Sequence, residues 1–299
     1  VNRPGLALAD GAVVAGVVWR KVVFLGTGLI GGSLAAALRR EFLAECLIGC
    51  GPQAEQARAL GLVDQVIADP AAAVRGADLV VLAAPPSVLP DLLRQIAPAL
   101  DQFAVVTDVA STKQGVIAAA REHLGRGFSR FVPAHPIAGS ERHGPDAADS
   151  TLFQNARCVL CPQPETDPAA LQRVEATWRA IGARPSRLSA REHDEVFAAV
   201  SHLPHLVAFA LAATLGHRAD AESLLGWAGG GLRDTTRIAA SSADLWADIL
   251  LENAAAVTAV TEQFLLACHT LQTAIQTQDR AGLVDQIEQA AGWRRRLQG

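Results

Sequence analysis

An open parallel α/β sheet followed by an all-helical domain is the fold class this sequence predicts, and three observations predict it. Short apolar, β-branched runs alternate with helical stretches through the first half. The apolar spacing turns wholly helical in the second. The chain has 299 residues, half of them hydrophobic, enough for two cores at roughly 100–200 residues per domain. Strands covered by helices on both faces read as short continuous apolar runs rather than alternating ones.

Lys21–Leu25 is the first such run and ends in glycine, and Leu29–Arg40 is a helix with small residues where it must sit close. Cys46–Cys50 reads as the second strand and Ala54–Leu60 as a helix stopped by Gly61. Asp78–Ala83 is strand-like, closed by Pro85-Pro86, with a helix over Pro90–Ala97. Ala104–Asp108, Thr112–Leu124 and Arg130–Pro133 read strand, helix, strand. Strands separated by helices give right-handed crossovers and one parallel sheet. Two more strand-like segments, Arg157–Leu160 and Arg184–Leu188, precede the change of period. Helical spacing then covers Glu192–Gly216, Ala219–Trp227, Thr235–Ala240, Leu245–Ile275 and Ala281–Leu297, with a kink or break expected at Leu203-Pro204. The Leu245–Ile275 helix would span about 45 Å, and its surplus apolar face is expected to pack against a second copy of the chain. The divisions expected are a disordered leader at 1–20, an α/β domain at 21–188 and a helical domain at 189–299.

Gly26-Thr27-Gly28-Leu29-Ile30-Gly31 has the spacing GxGxxG, directly after a strand and before a helix. The first glycine allows the tight turn, the second lets a pyrophosphate approach the backbone, and the third lets helix and strand pack closely. With strand before and helix after, the pattern predicts a Rossmann-type dinucleotide-binding domain. Residues Gly26, Thr27, Gly28, Leu29, Ile30 and Gly31, with Pro85 in a later strand-end turn, form the expected cofactor set. An acid normally ends the second strand to hold the ribose of NAD. Here that strand ends Ile48-Gly49-Cys50-Gly51-Pro52, and Arg58 on the next helix is the nearest candidate for a 2′-phosphate. Both NAD and NADP stay open as cofactors.

Three polar segments stand where a packed core would not choose them. Thr107-Asp108-Val109-Ala110-Ser111-Thr112-Lys113 lies at the carboxyl end of a strand, where open sheets bind ligands. His135-Pro136-Ile137-Ala138-Gly139-Ser140-Glu141 follows another strand. Glu192-His193-Asp194 precedes Ser201-His202-Leu203-Pro204-His205, whose two histidines share a helix face. A histidine beside a nicotinamide suits oxidation of a hydroxyl, the imidazole taking the proton, and Ser111 can hold the same oxygen. Gly229-Gly230-Gly231-Leu232-Arg233-Asp234-Thr235-Thr236-Arg237-Ile238 is a glycine turn opening a helix, with arginines fit to clamp a carboxylate.

These strings, in this order from about Lys21 to about Glu262, resemble the prephenate and arogenate dehydrogenase family. HPIAGSE, SHLPH and GGGLRDTTRI together are far more specific than the glycine turn alone. The resemblance implies oxidative decarboxylation of prephenate to 4-hydroxyphenylpyruvate, or of arogenate to tyrosine, with reduction of NAD(P)+. It implies that His135 is the catalytic acceptor for the ring hydroxyl and that Ser111 orients that hydroxyl. By the same resemblance Arg237 holds a substrate carboxylate with Asp234 nearby, and His205 meets the substrate side chain. Ser201, His202 and His193 line or shape the pocket, and Ser140 and Glu141 occupy a gating or ionic-network position. No metal is expected, since zinc needs four ligands and no cysteine lies near these histidines.

A net charge of −4 argues against nucleic acid as partner, and no unbroken apolar stretch of membrane-spanning length is apparent. Five cysteines make no disulfide framework, so a reducing cytoplasm and a homodimer joined through the helical domain are expected. Two alternatives stand beside the dehydrogenase reading. Hydroxyacid and imine-reducing relatives of the fold often use a lysine in the helical domain, whereas Lys21 and Lys113 both lie in the first half. A dinucleotide-sensing protein that has lost catalysis need not keep His135, Ser111 and Arg237 together.

Overall fold

The computed structural model describes residues 18–139 and 142–297. Along the first half run β1 (Trp19–Leu25), α1 (Leu29–Arg40), β2 (Ala44–Cys50), α2 (Ala54–Ala59), β3 (Gln65–Val66), α3 (Pro70–Val74), β4 (Leu79–Leu82), α4 (Leu89–Ile96), β5 (Val105–Asp108), α5 (Gln114–Leu124) and β6 (Phe131–Val132). Among the described residues these strands form one parallel sheet in the order β3-β2-β1-β4-β5-β6. Side chains alternate across each strand. Phe24, Val81 and Val105 therefore meet Leu34 and Leu38 of α1 on one face. Val23, Leu25, Val80 and Leu82 meet Leu93 of α4 and Val116 of α5 on the other. The expected leader at 1–20 lies outside the described residues over 1–17. Its last two positions instead open β1, because Trp19 is wholly buried and its indole N–H donates to Thr177 Oγ1 at 3.0 Å.

A second, smaller sheet follows, of β7 (Ala134–Pro136), β8 (Arg157–Leu160) and β9 (Arg184–Arg187), with α6 (Pro168–Ala180) between the last two. β7 runs antiparallel to β8, pairing His135 with Val159. His135, expected to follow a strand, is held inside one. α6 is a helix not expected from the sequence; Asp167 caps it by accepting from Ala169 N at 2.8 Å, and Pro168 takes the first-turn position that needs no N–H donor.

The helical half comprises α7 (Ala190–Phe197), α8 (Leu203–Gly216), α9 (Ala221–Leu225), α10 (Gly230–Thr236), α11 (Ala243–Glu252), α12 (Ala254–Gln276) and α13 (Arg280–Arg296). Ser189 opens α7 with a reciprocal capping box to Glu192, at 3.2 and 2.9 Å. The break expected near Pro204 is a wide π turn over Ala198–His202. Proline has no N–H to give and its ring crowds the carbonyl four residues back, so the preceding turn widens. The single helix expected over Leu245–Ile275 is divided at Asn253, whose amide is drawn inward to Asp194 and His202. The helix expected over Thr235–Ala240 begins earlier, at Gly230, and tightens into a 3₁₀ turn over Arg237–Ala240.

Two helical runs, Ala190–Gly216 and Ala254–Gln276, are long and apolar enough by composition to cross a membrane. The expectation that no stretch of membrane-spanning length exists is corrected for length and hydropathy. The first run buries His193, Asp194 and His202. Elsewhere Leu251, Leu265, Leu266, Ile275, Ile287 and Trp293 are exposed.

Asp108, expected only to end its strand, ties the halves of the sheet edge together. It forms a fully buried ion pair with Lys113, whose Nζ also donates to Ala134 O at 2.9 Å. The Asp108 carboxylate accepts from Ala110 N at 3.0 Å and Ala134 N at 3.1 Å. Removing one partner of a buried pair strands the other charge, at a cost of about 3–5 kcal/mol. Lys113→Met is expected to lower unfolding free energy by that amount in urea denaturation; a loss of less than about 1 kcal/mol, as at a surface pair, contradicts the role assigned.

Candidate active site

The glycine turn has the geometry a pyrophosphate needs. Gly26 takes φ +105° and lies so close to β4 that a Cβ would meet Ala83 O at 2.3 Å, and a Cβ on Gly31 would strike Gly26 O at the same distance. At Gly28 a Cβ would find only the tip of the Gln53 side chain, at 3.4 Å. The middle position is therefore open while the outer two are closed. Thr27 adds a buried hydroxyl with no hydrogen-bond partner. Leu29 and Ile30 open α1, and Pro85 is exposed in the turn after β4. Together they fit a dinucleotide. Cys50 and Gly51 end the second strand without a carboxylate, and Arg58 pairs with Glu55 at 2.8 Å.

From β7 a chain of polar side chains leads into the helical half. His135 Nδ1 lies 2.8 Å from His193 Nε2, and His193 Nδ1 lies 2.8 Å from Asp194 Oδ1. Asp194 accepts from the amides of Lys113 (2.8 Å) and Gln114 (2.9 Å), where α5 begins. A carboxylate there sits against unsatisfied N–H groups and the positive end of the helix dipole. Burial would raise the Asp194 pKa, but the bonds from His193 and the two amides outweigh it and hold the carboxyl below its ordinary value.

Asn253 continues the chain. Its amide donates to Asp194 O at 2.8 Å and to His202 Nδ1 at 3.2 Å. His202 and His205 both face Trp246: the first ring meets it edge-on at 6.0 Å, the second stacks on it at 3.5 Å. His205 Nδ1 donates to Ser201 O at 2.9 Å. Arg237 heads the 3₁₀ turn after α10, exposed and near enough that its charge bears on the His205 ring. Asp234 is exposed on α10.

Four histidines of the site are held toward their neutral form. Burial first, then the neighbouring His193 and Lys113, pushes His135 well below the ordinary histidine value. Burial lowers His193 as well, against the pull of Asp194, and brings His202 down to about 4. Burial also lowers His205, opposed by its bond to the Ser201 carbonyl. Phe197 sets the dry surroundings, its ring 4.8 Å from His135 and 4.5 Å from His193.

Ser111, partly exposed on the loop that Asp108 and Lys113 anchor, lies at the carboxyl edge of the sheet as expected. His193 is wholly buried with both ring nitrogens engaged, so of lining and shaping a pocket only shaping is open to it. His202 is 1% exposed, its Nε2 without a partner. Ser140 and Glu141 lie outside the described residues. Sequence reasoning missed Asp194, Asn253 and Trp246. Adjacency to His193 pointed to the first, and an asparagine inside an apolar helical run pointed to the second. Among the described residues no group of His, Cys, Asp and Glu is placed to hold a metal.

Comparison with known proteins agrees with this geometry. Residues 34–186 match the family model of the prephenate dehydrogenase nucleotide-binding domain, and residues 189–289 that of the prephenate dehydrogenase dimerization domain. A cyclohexadienyl dehydrogenase of Zymomonas mobilis is 35% identical over 279 residues, 91% of this chain and 94% of that protein. A prephenate dehydrogenase of Bacillus subtilis is 33% identical over 278 residues, 91% of this chain and 75% of its own length. The crystal structure of prephenate dehydrogenase from Aquifex aeolicus in complex with hydroxyphenyl propionate and NAD+ superposes with a TM-score of 0.86 at 33% identity, covering 93% of this chain and 98% of that one. Synechocystis arogenate dehydrogenase gives 0.77 at 30% identity, over 93% and 99%. With both halves matched, the chain belongs to the prephenate dehydrogenase family.

Proposed function

We propose that this protein oxidatively decarboxylates prephenate to 4-hydroxyphenylpyruvate with reduction of NAD(P)+, and that it does so as a cytoplasmic homodimer. The observation that carries the reading is the imidazole of His135, held toward its neutral form in β7 of the smaller sheet, which Asp108 ties to the carboxyl end of β5 in the dinucleotide-binding sheet. Gly26, Gly28 and Gly31 would hold the pyrophosphate of a dinucleotide, which would supply a hydride acceptor for the hydroxyl-bearing carbon. His135 takes the hydroxyl proton, and Ser111 orients the same oxygen. Arg237, beside His205 and Trp246, holds a substrate carboxylate away from the reacting carbon. As the carbon is oxidised, the ring carboxylate departs as carbon dioxide and leaves its electron pair to complete the aromatic ring, and His135 returns the proton to the phenolic oxygen. The residues around His135 exclude water through Phe197 and keep the base neutral.

Arogenate is the second reading, favoured by the arogenate and cyclohexadienyl dehydrogenases among the relatives. Both NAD+ and NADP+ are cofactors of this proposal. The tip of β2 offers no carboxylate to claim a 2′-hydroxyl, and Arg58 is engaged with Glu55. The homodimer is supported by the apolar side chains left exposed on α11, α12 and α13 and by the description of the matched family domain. The cytoplasm is supported by five free thiols.

Steady-state assays with prephenate and arogenate, each with NAD+ and NADP+, test the reading. Turnover of prephenate is expected, with His135→Asn lowering kcat by about 10²–10⁴-fold while cofactor binding persists; no turnover in any pairing contradicts the proposal. Because His135 is held well below the ordinary value of 6.5, it stays unprotonated as pH falls to that point. The acid limb of kcat/KM is therefore expected below pH 6.5, and a limb centred at or above it contradicts the assigned base.

A further inference from the structure

We infer that His193 and Asp194 are positioning residues that fix the proton of His135 on Nδ1, leaving Nε2 as the bare acceptor on the ring. The inference rests on the reading of His135 as the base and adds how that base is aimed. A lone imidazole in a pocket exchanges between two neutral tautomers, only one of which has its lone pair on a given side. Here each link of the chain allows one direction.

Asp194 is the fixed end. Its two carboxylate oxygens already accept from Lys113 N, Gln114 N and Gln114 Nε2, at 2.8, 2.9 and 3.1 Å. Set among donors at the start of α5, it is an ionised acceptor, so His193 Nδ1 must carry the hydrogen in their 2.8 Å contact. His193 is wholly buried, and burial favours its neutral form. A neutral ring with a hydrogen on Nδ1 has none on Nε2. In the 2.8 Å contact between the rings, His135 Nδ1 is therefore the donor. Being neutral in its turn, His135 has its lone pair on Nε2, the nitrogen that faces neither His193 nor Asp194. The opposite order would need an imidazolium at His193 or a proton on Asp194, and the buried setting opposes both. His135 belongs to β7 and His193 to α7, so the direction of the base in one half is dictated by a carboxylate in the other.

Two readouts on the full-length protein test this. The first needs no substrate: imidazole ¹⁵N shifts of the histidine-labelled protein at neutral pH. His135 is expected with hydrogen on Nδ1 and a bare Nε2, and a wild-type His135 protonated on Nε2 overturns the inference whatever the substrate proves to be. The second compares His193→Phe, which keeps a ring but removes both nitrogens, with His193→Gln, whose carbonyl can accept from His135 while its amide donates to Asp194. The Phe variant is expected to shift His135 towards the Nε2–H form. It should also lower kcat roughly a hundredfold, with KM for substrate and cofactor within about twofold, as for a group felt only in the transition state. The Gln variant is expected to restore most of both. If the Phe variant keeps wild-type kcat, or Gln is no better than Phe, the positioning role is overturned. Should no substrate turn over, the functional reading falls, and the ¹⁵N pattern still decides the orientation.

Discussion

A single carboxylate holds the two halves of this protein in working relation. Asp194 projects from the first helix of the second half and is received by the opening amides of α5 in the first. A buried charge is tolerated only where several hydrogen bonds satisfy it. The N-terminus of a helix supplies such donors at no cost to its own bonding, because those N–H groups have no partner within the helix. Seated there, the carboxylate orders everything around it: His193 on one side, and Asn253 bonded to its backbone on the other.

The rest of the site is arranged outward from that point. Asn253 breaks the long helical run because its amide serves Asp194 and His202 instead of a regular helical turn. His202 and His205 then fix Trp246 between them, and Arg237 lies beside His205. On the other flank the buried Asp108–Lys113 pair anchors the loop carrying Ser111 to the start of β7, where His135 stands. Two buried charge clusters, one at each side of the interface, thus hold the groups that must meet a substrate. Histidines held toward their neutral form between them fit this arrangement: both carboxylates already have their partners, and no further charge is welcome in the same dry region.

Much of the nucleotide half was legible in the sequence because its signals are local. A continuous apolar run such as Leu79–Leu82, a helix like α1 with small residues facing the sheet, and glycines at the turn are each dictated within a few residues. The site histidines were legible as residue types in an ordered set of strings. Their roles were less so. His193 looked like a pocket residue, and only the fold shows that its two nitrogens are consumed by partners 58 positions before it and one after it. The division at Asn253 was invisible because the apolar period continues across it, and the force that breaks the helix comes from α7. β7 escaped for a similar reason: three residues, Ala134–Pro136, form a strand only because β8 lies alongside to pair with them.

The most direct test is a crystal structure of the protein with NAD+ and a ligand carrying a para-hydroxyphenyl ring. The account predicts His135 Nε2 within about 3 Å of the ring hydroxyl, on the same side as the nicotinamide, with Arg237 on the ligand carboxylate. An imidazole walled off from the dinucleotide, or a ring hydroxyl held by other groups while His135 faces a separate cavity, would contradict it.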